Sequence, residues 1–338
     1  MSSAVHHSVV IPVFNEEGNV RELADRLVAV LEETQNTFEI IFVDDGSRDD
    51  TSTMVRALSA REPRIKLIRF SRNYGQEAAV QAGILRASGR WIIQMDGDLQ
   101  NPPEELTKLL DKRDEGYEIV YGVRVERKDP AHRVLASKLM MTLMRVVLEI
   151  ELPEDVTTFR VIHGDTARLI AGLPEKKKFF SALAVWTGAR SATVPVAHAA
   201  RVRGVTKYNL AKLVNHTFDL MVGFSTRPLR LIGSFGAVVA FCGLAFGLFR
   251  IAQKAMGADI TMGYTSLFSA IVILGGLQLI ALSVIGEYIG RIFIQTQGRP
   301  LYNVAEEVGF TSAGRREDAG VSSEDRAEES APTRSLIG

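Results

Sequence analysis

At 338 residues the chain is long enough for one large domain or two, with a substantial buried core. Lys plus Arg and Asp plus Glu both number 40, so net charge points to no nucleic acid and no acidic partner, and any basic patch is local. The single cysteine, Cys242, excludes an intrachain disulfide framework and fits a reducing compartment.

The first half alternates strand and helix patterns, as a mostly parallel α/β sheet requires. Met1 to His7 is short and polar and runs into Ser8–Val13, which reads as a buried strand and not a signal peptide, so the domain that follows is expected in the cytosol. Val20, Leu23, Ala24, Leu27 and Leu31 then recur at helical spacing. Glu39–Val43 is a second strand, closing on Asp44-Asp45-Gly46-Ser47, and Ile65–Phe70 is a third, followed by a helix over residues 76–87. The fourth, Trp91–Met95, closes on Asp96-Gly97-Asp98, after which Pro102-Pro103-Glu104-Glu105 suits a first helical turn. Glu118–Tyr121 is a fifth strand. Strand ends at 13, 43, 70 and 95 gather polar loops on one edge of the sheet, where open α/β sheets bind ligands.

Two aspartates one residue apart at such an edge are hard oxygen ligands suited to Mg²⁺ or Mn²⁺ carrying a diphosphate. Asp and Gly are also ordinary turn residues, and the pair alone does not separate the two readings.

Gly122 to His132 is a basic loop holding Arg124, Arg127 and Lys128, and residues 133–149 read as a helix carrying Arg133, Ser137, Lys138 and Arg145. A second basic cluster, Arg201, Arg203, Lys207 and Tyr208, precedes a helix-like stretch over 209–224. Such runs are ordinarily solvated charge, but beside a bilayer they also bind lipid phosphate. Leu231–Phe249 and Thr265–Gly286 contain no charged side chain, and each has about the 20 residues needed to cross a hydrocarbon core. Arg227 and Arg230 before the first and Arg291 and Arg299 after the second favour both ends inside. The composition of residues 311–338 is that of a disordered tail. Three parts are expected: a cytosolic α/β domain with a juxtamembrane amphipathic segment over 1–225, a two-helix transmembrane region over 226–300, and a cytosolic, largely disordered tail over 301–338.

A Gly-x-Gly-x-x-Gly after the first strand and a Gly-x-x-x-x-Gly-Lys loop are both missing, so dinucleotide oxidoreductases and P-loop enzymes lose most of their support. The histidines show no metal spacing, which argues against zinc.

Pro12-Val-Phe14-Asn-Glu16, Asp44-Asp45-Gly-Ser47, Arg72-Asn-Tyr-Gly-Gln76 and Asp96-Gly-Asp98-Leu-Gln100 stand in order on successive strand ends. Together they resemble a family 2 glycosyltransferase with the GT-A fold. Arg124, Arg133-x-x-x-Ser137, Phe159-Arg160, Lys207-Tyr208, Pro228-Leu-Arg230 and Gly286-Glu-Tyr-Ile-Gly-Arg291 resemble the polyprenyl-phosphate branch, which is similar to dolichyl-phosphate mannose synthase. Within it, residues 72–76, Leu99–Glu105, Asp114–Tyr117 and Arg299–Tyr302 resemble the undecaprenyl-phosphate 4-deoxy-4-formamido-L-arabinose transferases.

The resemblance implies inverting transfer from a UDP-sugar to a polyprenyl (undecaprenyl) phosphate at the inner membrane, for a cell-envelope glycan or lipid modification. Pro12, Phe14 and Glu16 would contact the nucleoside, with Asp44 or Asp45 reading the uracil. Asp96 and Asp98 would hold Mg²⁺ or Mn²⁺ and the diphosphate, with Gln100 alongside. Arg124, Arg133 and Ser137 would cradle the acceptor phosphate, while Arg160, Arg201 and Lys207 would neutralise the donor diphosphate or the lipid phosphate. Asp98, Arg160 and Asp155 are the catalytic candidates.

One departure stands out. Relatives often carry glycine and an acid before Phe-Arg, whereas this chain has Thr157 and Thr158. The departure motivates a second reading, a catalytically impaired membrane scaffold or sugar-nucleotide-binding module. A processive polysaccharide synthase is a third, weakened by only two spans. The sugar, the polyprenyl type and homo-oligomerisation stay open.

Overall fold

The computed structural model describes residues 5–124, 156–175, 180–197, 227–257 and 264–310. Eight strands form one mixed sheet: β1 (His7–Val13), β2 (Phe38–Asp44), β3 (Ile65–Phe70), β4 (Trp91–Gln94), β5 (Ile119–Arg124), β6 (Val156–His163), β7 (Ser191–Val196) and β8 (Val304–Val308). Their order is β7-β5-β6-β4-β1-β2-β3-β8. The helices between them are α1 (Val20–Glu33), α2 (Thr51–Arg61), α3 (Gln76–Arg86), α4 (Leu106–Arg113), α5 (Gly164–Gly172) and α6 (Phe180–Trp186). A 3-10 turn at Pro103–Glu105 leads into α4, where the proline and acid pattern places a first turn.

The alternation of side chains along β1 and β2 separates two cores. Val9, Ile11 and Val13 with Phe38, Ile40 and Phe42 face α1, α2 and α4. Val10, Ile41 and Val43 face α3, α5 and α6. Both strands are therefore buried on both faces, which is why they read as unbroken apolar runs. Helix α3 lies close to them at Gly83, where a Cβ would stand 2.3 Å from Val10 Cγ1.

Parallel pairing joins β1 to β2 on one side and to β4 on the other. The strand order reverses there, so the β1/β4 boundary is the switch point at which such sheets open a crevice. Beyond it, β6 runs antiparallel to both β4 and β5, with Gln94 opposite Arg160 and Trp91 opposite His163. β8 runs antiparallel to β3. Arg56 grips Glu306 with two hydrogen bonds of 3.0 and 2.8 Å, Arg86 reaches Glu307 at 2.9 Å, and Tyr302 stacks on Phe70 with ring centroids 4.8 Å apart. Residues 304–308 fall within the segment expected as tail; 311–338 lie outside the described residues.

Two long helices, α7 (Arg227–Ala255) and α8 (Tyr264–Thr296), precede β8. Within them Leu229–Phe249 and Ile273–Thr296 are long and apolar enough to cross a membrane. Glu287 and Arg291 pair one helical turn apart within α8, at 2.9 Å. The helices expected over 133–149 and 209–224 lie outside the described residues.

At the amino edge, Arg113 Nη1 and His7 Nε2 lie 2.9 Å apart, and His7 is fully buried. A guanidinium only donates, so Nε2 is the acceptor and the ring is neutral. Burial, then the neighbouring His6 and Arg113, push His7 from 6.5 down to about 3. Below about 6.5 the unfolded chain takes up a proton that the folded one refuses, so stability is lost as pH falls from 6.5 towards 3, by up to about 1.4 kcal/mol per pH unit. Thermal unfolding of the detergent-solubilised chain between pH 7.5 and 5.5 checks this: His7→Asn is expected to flatten the slope, and an unchanged slope would contradict it.

Candidate active site

The loops after β1, β2 and β3 are laced together by polar bonds. Asn15, in the left-handed region at φ 56°, donates its N–H to Ser47 Oγ at 2.9 Å, and its Oδ1 accepts Arg48 N–H at 2.9 Å. The Glu16 N–H reaches Thr51 Oγ1 at 2.8 Å, and the Glu16 carboxylate accepts Asn19 Nδ2 at 2.6 Å. Pro12 is buried beneath this loop, while Phe14 stands 42% exposed above it. Gly46 has φ +72°, and a Cβ there would meet the Arg72 carbonyl carbon at 2.5 Å. Only glycine lets the loops after β2 and β3 approach so closely. Between them opens a cavity of about 320 Å³ lined by Phe14, Ser47, Arg48, Arg69, Phe70 and Arg72 among others.

The adjacent aspartates that end β2 do different things. Asp45 accepts the backbone N–H groups of Tyr74 at 2.6 Å and Gly75 at 2.9 Å, one on each oxygen. Asp44 is wholly buried; Oδ1 accepts Ser47 N–H at 2.8 Å, and Oδ2 has no hydrogen-bond partner. Arg69 Nε lies 3.9 Å from that oxygen and is likewise buried without a hydrogen bond. A buried acceptor and donor left unmade side by side are costly.

Asp96 and Asp98 follow β4 and are half-buried. Gln76, at the start of α3, donates Nε2 to Asp96 Oδ1 at 2.7 Å, and Thr158 on β6 donates its hydroxyl to Asp96 Oδ2. Burial first, and the neighbouring Asp98 charge after it, raise the Asp96 carboxyl above its ordinary range, against the pull of Thr158. Gln100 N–H donates to Asp98 Oδ1 at 3.2 Å, and Leu99 between them is held at φ 59°.

Arg160 is 4% exposed. Its Nε and Nη2 donate to Gln94 Oε1 at 2.9 and 2.6 Å, Nη1 reaches Ser181 Oγ at 3.4 Å, and the guanidinium lies 4.0 Å over the Phe180 ring. These partners are all neutral. Burial lowers its pKa, while Tyr121, Glu77 and Asp96 draw it upward through space. Arg160 is thus a buried guanidinium whose described hydrogen bonds all run to neutral side chains.

The structure brings Pro12, Phe14, Glu16, Asp44, Asp45, Asp96, Asp98 and Gln100 to one edge, with Arg160 beneath it and Arg124 exposed at the end of β5. Arg133, Ser137, Asp155, Arg201 and Lys207 lie outside the described residues. Gln94 escapes a reading of motifs, while Gln76 and Thr158 stand in the motifs with no role assigned to them. Gln94 had a visible signal, an amide inside an otherwise apolar strand.

For a divalent cation the donor set fits. Among the described residues no cluster of three or more His, Cys, Asp or Glu side chains forms a self-sufficient cage. Mg²⁺ is commonly held by one or two carboxylates with the substrate's phosphates completing the shell. Asp96 answers to that chemistry, since both its hydrogen-bond donors are neutral and leave its charge in place.

Two family models match: Glycosyl transferase family 2 over residues 8–167 and the GtrB C-terminal hairpin over 227–292. A glycosyltransferase of Synechocystis is 38% identical over 90% of this chain and 96% of the relative. Undecaprenyl-phosphate 4-deoxy-4-formamido-L-arabinose transferases of Klebsiella pneumoniae and Pseudomonas aeruginosa are 35% and 33% identical, over 92% and 90% of this chain and 96% and 95% of theirs. Among solved structures, glucosyl-3-phosphoglycerate synthase of Mycobacterium tuberculosis with Mn²⁺, UDP and phosphoglyceric acid aligns at TM-score 0.49 and 18% identity, over 66% of this chain and 78% of that one.

Gly46→Ala is expected to cost about 1–3 kcal/mol, from the left-handed backbone and the Arg72 clash together. Faster hydrogen exchange at the Tyr74 and Gly75 amides, which the displaced loop exposes, is the accompanying readout; unchanged protection would contradict the close approach.

Proposed function

The chain belongs to glycosyl transferase family 2 and carries its GT-A fold with a GtrB-type C-terminal hairpin, and on that premise we propose that it transfers a sugar from a UDP-sugar to a polyprenyl phosphate held in a bilayer. The observation that carries the proposal is the disposition of carboxylates around the switch point: Asp44 at the end of β2 and the Asp96–Asp98 pair after β4 flank the end of β1. Asp44 or Asp45, at the end of β2, would read the uracil. Asp96 and Asp98, after β4, would hold a divalent cation on the diphosphate of such a nucleotide. Names borne by relatives at 33–36% identity support undecaprenyl phosphate as the acceptor class.

The chemistry suits a site without a dedicated base. A phosphate monoester has a second pKa of about 6, so the acceptor oxygen is already anionic near neutral pH and needs no proton removed. That oxygen forms the new bond to the anomeric carbon from the face opposite UDP, the old carbon–oxygen bond breaks, and its electron pair leaves on the diphosphate. Configuration inverts. The obstacle is bringing two anions together. A cation held by Asp96 and Asp98 would neutralise the departing diphosphate, as metal sites in group transfer do. Arg160 adds a fixed positive field from below. Thr157 and Thr158 therefore need not silence the enzyme, because the acid they replace would have had no essential proton to take.

The anchor follows from the acceptor. Its tail stays in the lipid while its phosphate sits at the surface. Two spans bring the chain back to the side from which it entered, and the β8–β3 ladder supports that path because it seats residues 304–308 in the same sheet as residues 7–13. The α/β domain and the chain after the hairpin then share the cytosolic face.

Membranes containing the protein, incubated with a panel of UDP-sugars and undecaprenyl phosphate, are expected to yield one lipid-linked monosaccharide by mass, with UDP released. Asp98→Ala should lower transfer by about 1,000-fold, some 4 kcal/mol of barrier, while the hairpin still inserts. UDP binding without turnover in the wild type would favour the scaffold reading instead, and full activity of Asp98→Ala would remove the metal role.

A further inference from the structure

The two oxygens of Asp96 are each engaged by one neutral donor, and the two donors come from opposite sides of the crevice. Thr158 owes its position to strand register. β6 pairs antiparallel with β4 so that Arg160 stands opposite Gln94, and two residues further on Thr158 falls opposite Asp96. Thr157 steadies that end of β6 by donating its hydroxyl to Gly122 O at 2.9 Å. Gln76 owes its position to Asp45. Both Asp45 oxygens are taken by consecutive amides, Tyr74 and Gly75, and the residue is 3% exposed. Gly75 turns at φ +99°, and α3 begins at the next residue, so gripping the turn aims the Gln76 side chain.

We infer that Asp45, Gln76 and Thr158 are positioning residues that fix the Asp96 carboxylate from both sides, with Asp45 acting through the Tyr74–Gly75 turn. The inference rests on the reading of Asp96 as a ligand of a divalent cation. A carboxylate turns freely about its last bond, and an ionised one has about four acceptor positions. One neutral hydrogen bond to each oxygen locks the rotation, keeps the charge and leaves acceptor positions over for a cation. Partners that orient a ligand in this way typically matter 10–100-fold in metal affinity. The departure at position 158 acquires a purpose: an acid there would set a second anion against Asp96, whereas threonine supplies a donor.

The experiment uses the full chain in nanodiscs and reads Mn²⁺ retention by electron paramagnetic resonance, separately from turnover. Thr158→Val and Gln76→Leu are each expected to weaken Mn²⁺ binding about 10-fold or more, and Thr158→Ser to stay within about threefold of wild type. Thermal midpoints identify any variant that merely fails to fold, and the Thr158→Ser rescue separates loss of the hydroxyl from loss of packing. Asp45→Asn should weaken Mn²⁺ as Gln76→Leu does, and the double variant should be no worse than either single, because the two act in series. Wild-type Mn²⁺ binding in Thr158→Val, or full additivity of Asp45→Asn with Gln76→Leu, would each overturn the inference alone. A wild-type chain that retains no Mn²⁺ would overturn the metal reading and the inference with it.

Discussion

The central position of β1 is the constraint from which the edge chemistry follows. β1 lies between β2 and β4, parallel to both, and its residues from His7 to Val13 are buried. Backbone groups in so dry a place must all be paired, so the register of both ladders is fixed and cannot slip without exposing apolar faces. Three loops consequently emerge level with one another. The Asp45 N–H, which accepts no freedom from the ladder, closes on Val13 O at 2.9 Å, and Met95 N–H on Val10 O at 3.3 Å. A one-residue slip of β4 would turn Asp96 away from Gln76 and Thr158 together.

Electrostatics at this edge is arranged by distance. Asp96, buried beside Asp98, is reluctant to carry its charge, and Arg160, buried among neutral partners, is reluctant to carry its own. Direct pairing of the two would have satisfied both and left nothing for a ligand. Instead Gln94, two residues before Asp96, holds the guanidinium with two hydrogen bonds at 2.9 and 2.6 Å. Buried charges without direct partners cost stability, and such costs persist in proteins chiefly where a bound charge offsets them.

Most of the first five strands was legible in the sequence because a strand buried on both faces is an apolar run with turn residues at its ends. β1, β2, β3 and β4 fall within a residue of their expected bounds. β6 was not read, although Val156 to His163 is rich in β-branched residues, because its antiparallel insertion breaks the strand-helix alternation that guided the reading. β8 was not read because its partner strand lies more than 230 residues earlier and no local pattern announces such a pairing. At the site, motif reading located Asp44, Asp45, Asp96 and Asp98 but could not divide labour between the first two. Their roles depend on what comes near from α3 and β3, which is a tertiary fact. Thr158 looked like a defect for the same reason: its value lies in register with Asp96.

The pairing of β8 with β3 changes what kind of object the hairpin is. α7 and α8 are not a tail appended to a finished domain; they are an insertion within it, since the chain leaves after β7 and returns to complete the sheet. A fragment cut before residue 227 would lose the strand that caps the β3 edge, together with Tyr302 over Phe70 and the Arg56 and Arg86 grips on Glu306 and Glu307. An uncapped edge of that kind invites pairing between molecules. A soluble form of the protein is thus better sought by replacing residues 227–296 with a short linker, or by adding residues 300–310 as a separate peptide, than by truncation.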